Sequence, residues 1–414
     1  MDTKTLRCGL LGRKLGHSYS PAIHERLADY SYRLFEVEPE DLGAFLQEGA
    51  FDGLNVTIPY KKDVIPYCAE LSDTARAIGA VNTLVRRADG TLWGDNTDAY
   101  GFSMLVQSSG ADIAGKKALV FGSGGASATA QYVLRQLGAR EVVVISRHGE
   151  DNYENLDRHA DAQIAVNTTP VGMYPNTGVS PVDLHRLPRL EAALDVVYNP
   201  ARTEFLLQAE ARGLRRANGL LMLAAQAKKS CEDFTGEPVD DAKIFSITKA
   251  LEAQMHNVIL IGMPGSGKTT IGTLVAKRLG RTFVDADSAL ELEAGMPIPE
   301  IFRREGEAGF RRRETAVLAE LGRQSGLVLA TGGGSVTREE NYPLLHQNGE
   351  IFCLQRALER LPSAGRPVSQ ALGAQTIYAQ RKPLYARFAD AMIDNNGTPE
   401  AAAAQILEVL GCIC

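Results

Sequence analysis

Residues 258–270 read VILIGMPGSGKTT: an apolar run, a glycine-rich turn, and then TIGTLVAKRLG (270–280) with helical spacing. Gly262 to Thr269 fits the pattern GxxxxGK[ST]. Glycines there let backbone N–H groups turn inward and cradle phosphates at a helix N-terminus. Gly265, Ser266, Gly267, Lys268, Thr269 and Thr270 are thus candidates for holding a nucleotide's phosphates, with the Thr269 hydroxyl on Mg²⁺. A second glycine-rich turn, ALVFGSGGAS at 118–127, also follows an apolar run. Gly122, Gly124, Gly125 and Ala126 make it a candidate dinucleotide turn, with Ser127 at the third glycine position. By itself that pattern also fits an ordinary strand-to-helix turn. Apolar runs alternate with amphipathic stretches throughout, which predicts an α/β protein with mostly parallel sheets.

The chain has 414 residues, enough for two or three domains. A boundary is expected near 250, where SITKALEAQM (246–255) ends a helix and a new strand follows. An inner boundary is expected near 100, after the GDNTD turn (94–98). The divisions are therefore 1–99, 100–250 and 257–414. Basic residues number 44 and acidic residues 50, and neither part is basic, so no nucleic-acid partner is expected. No apolar run reaches the roughly 18 residues of a membrane span. The N-terminus has no long apolar core before a cleavage site, and a cytoplasmic chain is expected. The six cysteines show no CxxC or zinc spacing and read as reduced thiols. The oligomeric state is left open.

Past the phosphate loop, FVDAD (283–287) puts Asp285 and Asp287 at the end of a predicted strand, pointing to one side. One suits Mg²⁺ and the other a substrate hydroxyl; solvated loop acids fit the spacing equally well. IFRREGEAGFRRRE (301–314) reads as a helix carrying aromatics and arginines. A guanidinium aimed at a pocket suits a carboxylate, whereas a solvated basic face is the plainer alternative. Gly332-Gly333-Gly334 permits close backbone approach to a ligand, or simply a tight turn.

These marks, with GRP (365–367) and RKPLY (381–385), resemble the shikimate kinases in order and spacing, from about 257 onward. The resemblance implies ATP-dependent phosphorylation of the shikimate 3-hydroxyl. It gives Thr269 and Asp285 to Mg²⁺ and Asp287 to the substrate hydroxyls and the nucleophile. Arg311 and Arg381 would clamp the carboxylate. Gly333 and Gly334 would line the ring, and Phe302 and Phe310 the apolar wall. Lys268 and Arg366 would stabilise the transferred phosphoryl group, Arg366 from a lid. The lid segment LPSAG (361–365) is shorter than is usual in that family, which leaves the register of Arg360, the adenine-contact candidate, open.

In the first part, EVVVI (141–145) ends in Ser146-Arg147-His148. An arginine there suits the 2′-phosphate of NADP, where an acid would suit NAD. Ser18 and Ser20 in HSYSPAIHE (17–25) are two hydroxyls before a helix start, a pattern an N-cap turn also explains. Asn55, Thr57 and Lys61 in NVTIPYKK (55–62) would converge if the proline turn permits. Asn82 and Asp98 add an amide and a carboxylate. A Lys–Asp pair in a cleft can move a proton as a hydride moves.

Together with NTTPVGM (167–173), DVVYNP (195–200) and MLAAQ (222–226), these motifs resemble the shikimate dehydrogenases over about 5–250. That resemblance implies reversible NADPH-dependent reduction of 3-dehydroshikimate, with Lys61 and Asp98 as the catalytic pair. Ser18, Ser20, Asn55, Thr57, Asn82, Tyr198 and Gln226 would surround the substrate, and Ser146 and Arg147 would face NADP(H). The expected architecture is a substrate domain and a Rossmann NADP domain, followed by a P-loop kinase-like domain. The two activities would be consecutive steps on small-molecule substrates. A quinate-using first half, a second half that is another small-molecule kinase of the phosphate-loop group, and a binding-only regulatory protein are the rival readings.

Overall fold

The computed structural model describes residues 6–16, 18–361 and 374–411. The chain forms two compact units, one of residues 1–173, 179–198 and 205–250, the other of 174–178, 199–204 and 251–414.

The first unit holds two sheets. The first contains β1 (Arg7–Gly12), β2 (Ser31–Glu36), β3 (Gly53–Val56), β4 (Cys68–Leu71), β5 (Thr83–Arg86) and β6 (Leu92–Asp95) in the order β2-β1-β3-β5-β6-β4. This sheet is mixed rather than mostly parallel. β1 is parallel to β2 and β3, while β5 runs antiparallel to both β3 and β6. The reason is length: only residues 87–91 separate β5 from β6, too few for the crossover a parallel pair requires.

The second sheet contains β7 (Lys117–Phe121), β8 (Glu141–Ile145), β9 (Ile164–Asn167), β10 (Ala192–Asp195) and β11 (Arg215–Ala217). Its order is β11-β10-β9-β7-β8, and every pair is parallel. Leu119 and Phe121 of β7 enter one core while Ala118 and Val120 enter another. Both faces are covered, which is why KALVF reads as an unbroken apolar run. The strand order reverses beside β7, and the glycine-rich turn leaves the sheet there, where open α/β sheets bind ligands.

The second unit is built on β12 (Asn257–Ile261), β13 (Phe283–Asp285), β14 (Val328–Ala330), β15 (Gly349–Gln355) and β16 (Ala391–Asp394). The order is β13-β14-β12-β15-β16, all parallel. Val258 and Leu260 face one core, Ile259 and Ile261 the other. The helix Lys268–Leu279 follows the central strand through the phosphate loop.

Two details depart from the sequence reading. Asp287 is not on a strand. The strand stops at Asp285, whose carboxylate caps the helix Ala286–Ala294 by accepting from the Asp287 and Ser288 N–H groups. The stretch 301–314 belongs to the helix Ile298–Gly322, but Gly306 interrupts it at φ 68°.

At the far end of that helix, a Cβ on Gly322 would overlap the Leu344 carbonyl oxygen. Alanine favours a helix over glycine by about 1 kcal/mol, yet here the overlap decides. Gly322→Ala is expected to destabilise the second unit by roughly 1–3 kcal/mol, read as a lower urea midpoint for its unfolding. A raised midpoint would show that the close approach is unimportant.

Candidate active sites

The first cleft lies in the first unit and has a volume of about 370 Å³. Ser18, Ser20, Asn55, Thr57, Lys61, Asn82, Asp98, Tyr198 and Gln226 all line it. Asp98 is the first residue of the helix Asp98–Ser109 that follows β6, where the helix dipole favours a carboxylate. Its Oδ2 lies 2.5 Å from Lys61 Nζ, with the side chains only 12% and 23% exposed. Asn82 is held from two directions: its Oδ1 accepts from the Thr97 N–H at 2.7 Å, and its Nδ2 donates to Thr97 Oγ1 at 3.1 Å. Asn55 Oδ1 accepts from the Tyr32 hydroxyl at 2.8 Å. Ser18 Oγ accepts from the Ser20 N–H at 3.2 Å, so the turn reading of that motif also describes it. Gln226 arrives on the helix Leu220–Thr235, which also brings Met222 and Leu223 to the cleft.

The glycine turn after β7 fits a dinucleotide. Gly122 has φ 106°, open to glycine but strained for other residues. Nothing would meet a Cβ at Gly124, and one at Gly125 would lie 3.8 Å from Lys61 Cδ. The helix Gly125–Gln136, with Ala126 in its first turn, therefore starts beside the Lys61 stem. Ser127 is fully buried, consistent with a small residue at the third glycine position. Ser146 is tied into its loop through its N–H to the Asp151 carbonyl at 3.2 Å, and Arg147 is exposed. Burial pushes the Tyr153 hydroxyl up, opposed by the nearby Arg147 charge.

The second cleft, about 630 Å³, lies in the second unit. Gly265, Gly267, Lys268, Thr269 and Thr270 line it from the phosphate loop. Gly265 and Gly267 have φ 84° and 97°, the turn the loop needs. Lys268 Nζ donates to the Gly262 and Met263 carbonyls at 2.9 and 3.2 Å. Thr269 Oγ1 donates to Asp285 Oδ2 at 2.9 Å, so a hydroxyl and a carboxylate share one point at the loop's mouth, as a Mg²⁺ site requires. Ser266 does not line the cleft: it is fully buried, and its N–H donates to the Met263 carbonyl.

Asp287, Phe302, Phe310, Arg311, Gly333, Gly334 and Arg381 also line this cleft. Burial pushes the Asp287 carboxyl up to about 6; the charges of Asp285 and Glu314 add to this, and Lys268 and Arg311 oppose it. Phe302 and Phe310 stack at 4.7 Å across the Gly306 break. Arg381 Nη1 and the Tyr385 hydroxyl both donate to the Gly333 carbonyl, at 3.0 and 2.5 Å. Arg311 Nη1 donates to Glu314 Oε2 at 2.7 Å. Glu314 is 2% exposed, and the sequence gives it no role although it closes the stretch IFRREGEAGFRRRE. Arg356, which no motif singled out, also lines this cleft. Arg360 does not; its guanidinium donates to the Asn396 carbonyl. Arg366 lies outside the described residues.

Among the described residues no helix is long and apolar enough to cross a membrane. Cys8, Cys68, Cys231 and Cys353 are free thiols; Cys412 and Cys414 fall outside the described residues.

Comparison with known proteins agrees for both parts. The substrate-binding domain of shikimate dehydrogenases matches residues 10–84, and the shikimate kinase family matches residues 264–411. A shikimate dehydrogenase (NADP(+)) of Clostridium perfringens is 36% identical over 267 residues, which is 59% of this chain and 98% of the relative. The Thermus thermophilus shikimate 5-dehydrogenase, solved with NADP(H) and shikimate, is 33% identical with a TM-score of 0.55, covering 59% of this chain and 99% of that one. A quinate dehydrogenase from Corynebacterium glutamicum, solved with NAD, is 28% identical with a TM-score of 0.54, covering 58% and 98%. The chain therefore belongs to the shikimate dehydrogenase family, and its residues 264–411 form a shikimate kinase domain joined to it.

Proposed function

We propose that this chain is a bifunctional enzyme that reduces 3-dehydroshikimate to shikimate with NADPH and then phosphorylates shikimate to shikimate 3-phosphate with ATP. The observation that carries the reading is that each cleft gathers reacting groups and substrate-binding candidates in one place. We assign residues 1–99 to substrate binding and 100–250 to the NADP-binding domain, with 257–414 as the kinase. We place the chain in the cytoplasm, where both nucleotides are available.

In the first cleft, bound NADPH supplies the hydride. Lys61 gives its proton to the carbonyl oxygen as the alkoxide forms, and Asp98 holds the Lys61 ammonium in position. Asn55, Asn82, Thr57 and Gln226 bind the hydroxyls, and Ser18 and Ser20 the carboxylate. Tyr198 lies beside the ring. Arg147 and Ser146 meet the 2′-phosphate, which favours NADP.

In the second cleft, bound MgATP supplies the phosphoryl group. Thr269 and Asp285 hold the metal. Asp287 orients the attacking 3-hydroxyl and takes its proton, suited to this by a raised pKa. Arg311, braced by Glu314, and Arg381 clamp the carboxylate between Gly333–Gly334 and the Phe302–Phe310 wall. Lys268 neutralises charge on the transferred group.

The test is a coupled assay on the purified chain with 3-dehydroshikimate, NADPH, ATP and Mg²⁺. NADPH should fall and shikimate 3-phosphate should accumulate by mass. Binding of shikimate without turnover at either site would replace this reading with a regulatory one. Because one structural neighbour is a quinate dehydrogenase, shikimate and quinate are compared as substrates for oxidation. A higher rate on quinate would overturn the substrate assignment.

A further inference from the structure

We infer that Arg356 is an additional phosphoryl-binding residue of the kinase, presenting a guanidinium from the sheet to the terminal phosphate. The inference rests on the reading of the second cleft as a phosphoryl-transfer site. Arg356 directly follows β15, which pairs with the central strand β12 at Leu260–Phe352 and Ile261–Cys353. A Cβ at Gly262 would lie 2.8 Å from the Leu354 carbonyl oxygen, so the end of β15 runs alongside the phosphate loop. Arg356 lines the same cleft as Pro264 and Lys268.

Topology separates Arg356 from most of the groups assigned to shikimate, although Arg381, on the helix Ala374–Phe388, also follows β15. Asp285 ends β13 with Asp287 just beyond it, and Gly333–Gly334 follow β14, both strands on one side of β12. Arg356 follows β15, on the other side. A cation at the end of β15, beside the phosphate loop, suits the nucleotide's phosphates.

Hydrogen bonding points the same way. Lys268 donates to the loop carbonyls, Arg311 to Glu314 and Arg381 to the Gly333 carbonyl. Among the described residues, Arg356 Nε is buried with no hydrogen-bond partner. A buried N–H without an acceptor is costly, and a phosphate oxygen supplies one in a charge-assisted bond. Phosphoryl transfer spreads charge over the equatorial oxygens, where a fixed guanidinium is most effective.

The experiment uses the full chain carrying Arg356→Gln or Arg356→Lys. It measures shikimate phosphorylation and, separately, equilibrium binding of ADP and of the non-hydrolysable ATP analogue AMP-PNP. For Arg356→Gln we expect kcat to fall on the order of 100-fold with KM for shikimate within about twofold. AMP-PNP binding should weaken about 10-fold and ADP binding should hold within about twofold, which also shows that the kinase is folded. Arg356→Lys should restore AMP-PNP binding more than rate, since it keeps the charge but not the planar fork. An unchanged kcat overturns the inference. So does a loss confined to KM for shikimate, which would make Arg356 a carboxylate ligand. Equal weakening of ADP and AMP-PNP also overturns it, moving the contact away from the terminal phosphate. If Arg356→Gln no longer binds ADP, Arg356→Lys decides by the same criteria. A wild-type chain that does not phosphorylate shikimate would refute the proposed function instead, while the ADP and AMP-PNP comparison would still test Arg356.

Discussion

Lys61→Ala is expected to lower NADPH-dependent reduction by about 10² to 10⁴-fold and to leave shikimate phosphorylation within twofold. The Lys61 stem lies beside the Gly125 turn, and its Nζ pairs with Asp98 at 2.5 Å. Removing it deletes the proton transfer but few of the groups assigned to binding, so the loss should fall mainly on kcat. Asp98 is left without its cation, yet it sits in the first turn of the helix Asp98–Ser109, where the dipole offsets part of the loss. The check is the initial rate of NADPH consumption and of shikimate phosphorylation on one preparation. Loss of both would mean that the substitution damages the chain as a whole, and reduction at the wild-type rate would remove Lys61 from the mechanism.

Asp287→Asn should likewise lower phosphorylation by about 10² to 10⁴-fold, but its effect on stability has the opposite sign. Burial and the neighbouring Asp285 and Glu314 raise the Asp287 carboxyl to about 6 in the folded chain, from an ordinary value of 3.8. Below the lower value the group is protonated in both states and costs nothing. As pH rises from 3.8 to 6 the unfolded chain releases a proton that the folded chain retains, so stability falls. Above 6 the whole cost is present. Removing the charge should therefore stabilise the second unit by on the order of 3 kcal/mol at pH 8, with little gain near pH 4. Thermal melts of the two proteins in magnesium-free buffer across that range test this. A variant less stable than wild type at pH 8 would show that the Asp287 carboxylate is favourably held. The arrangement puts function ahead of stability: a carboxylate crowded by two others is poorly solvated and for that reason a better base.

The parts legible in sequence were those with local causes. Glycines followed by Lys268 and Thr269 need only a strand and a helix to form a phosphate loop, and the loop's φ values follow. KALVF and EVVVI read as strands because both faces of a parallel sheet are covered, and they appear as Lys117–Phe121 and Glu141–Ile145. The Asp285–Asp287 pair was found for a partly wrong reason. Both acids line the cleft, but across a strand-to-helix junction rather than by strand alternation. Ser266 was grouped with its neighbours by motif, although its side chain is buried behind the loop. No spacing rule separates a loop's exposed backbone from its buried side chains.

The sequence alone determined the α/β class, the two glycine turns and most of the groups now found in the two clefts, because periodicity and turn chemistry act over a few residues. Only the tertiary structure decided which distant groups meet. Lys61 and Asp98 are 37 residues apart and touch because the antiparallel β5–β6 pair returns the chain to the same sheet. Gln226 reaches the first cleft on a helix more than a hundred positions downstream of Asp98. Glu314 became a brace for Arg311 and Arg356 a lining residue of the second cleft through helix and strand placement that no local pattern encodes. Burial and unmet hydrogen bonds belong to the packed chain, and they mark these two residues where spacing does not.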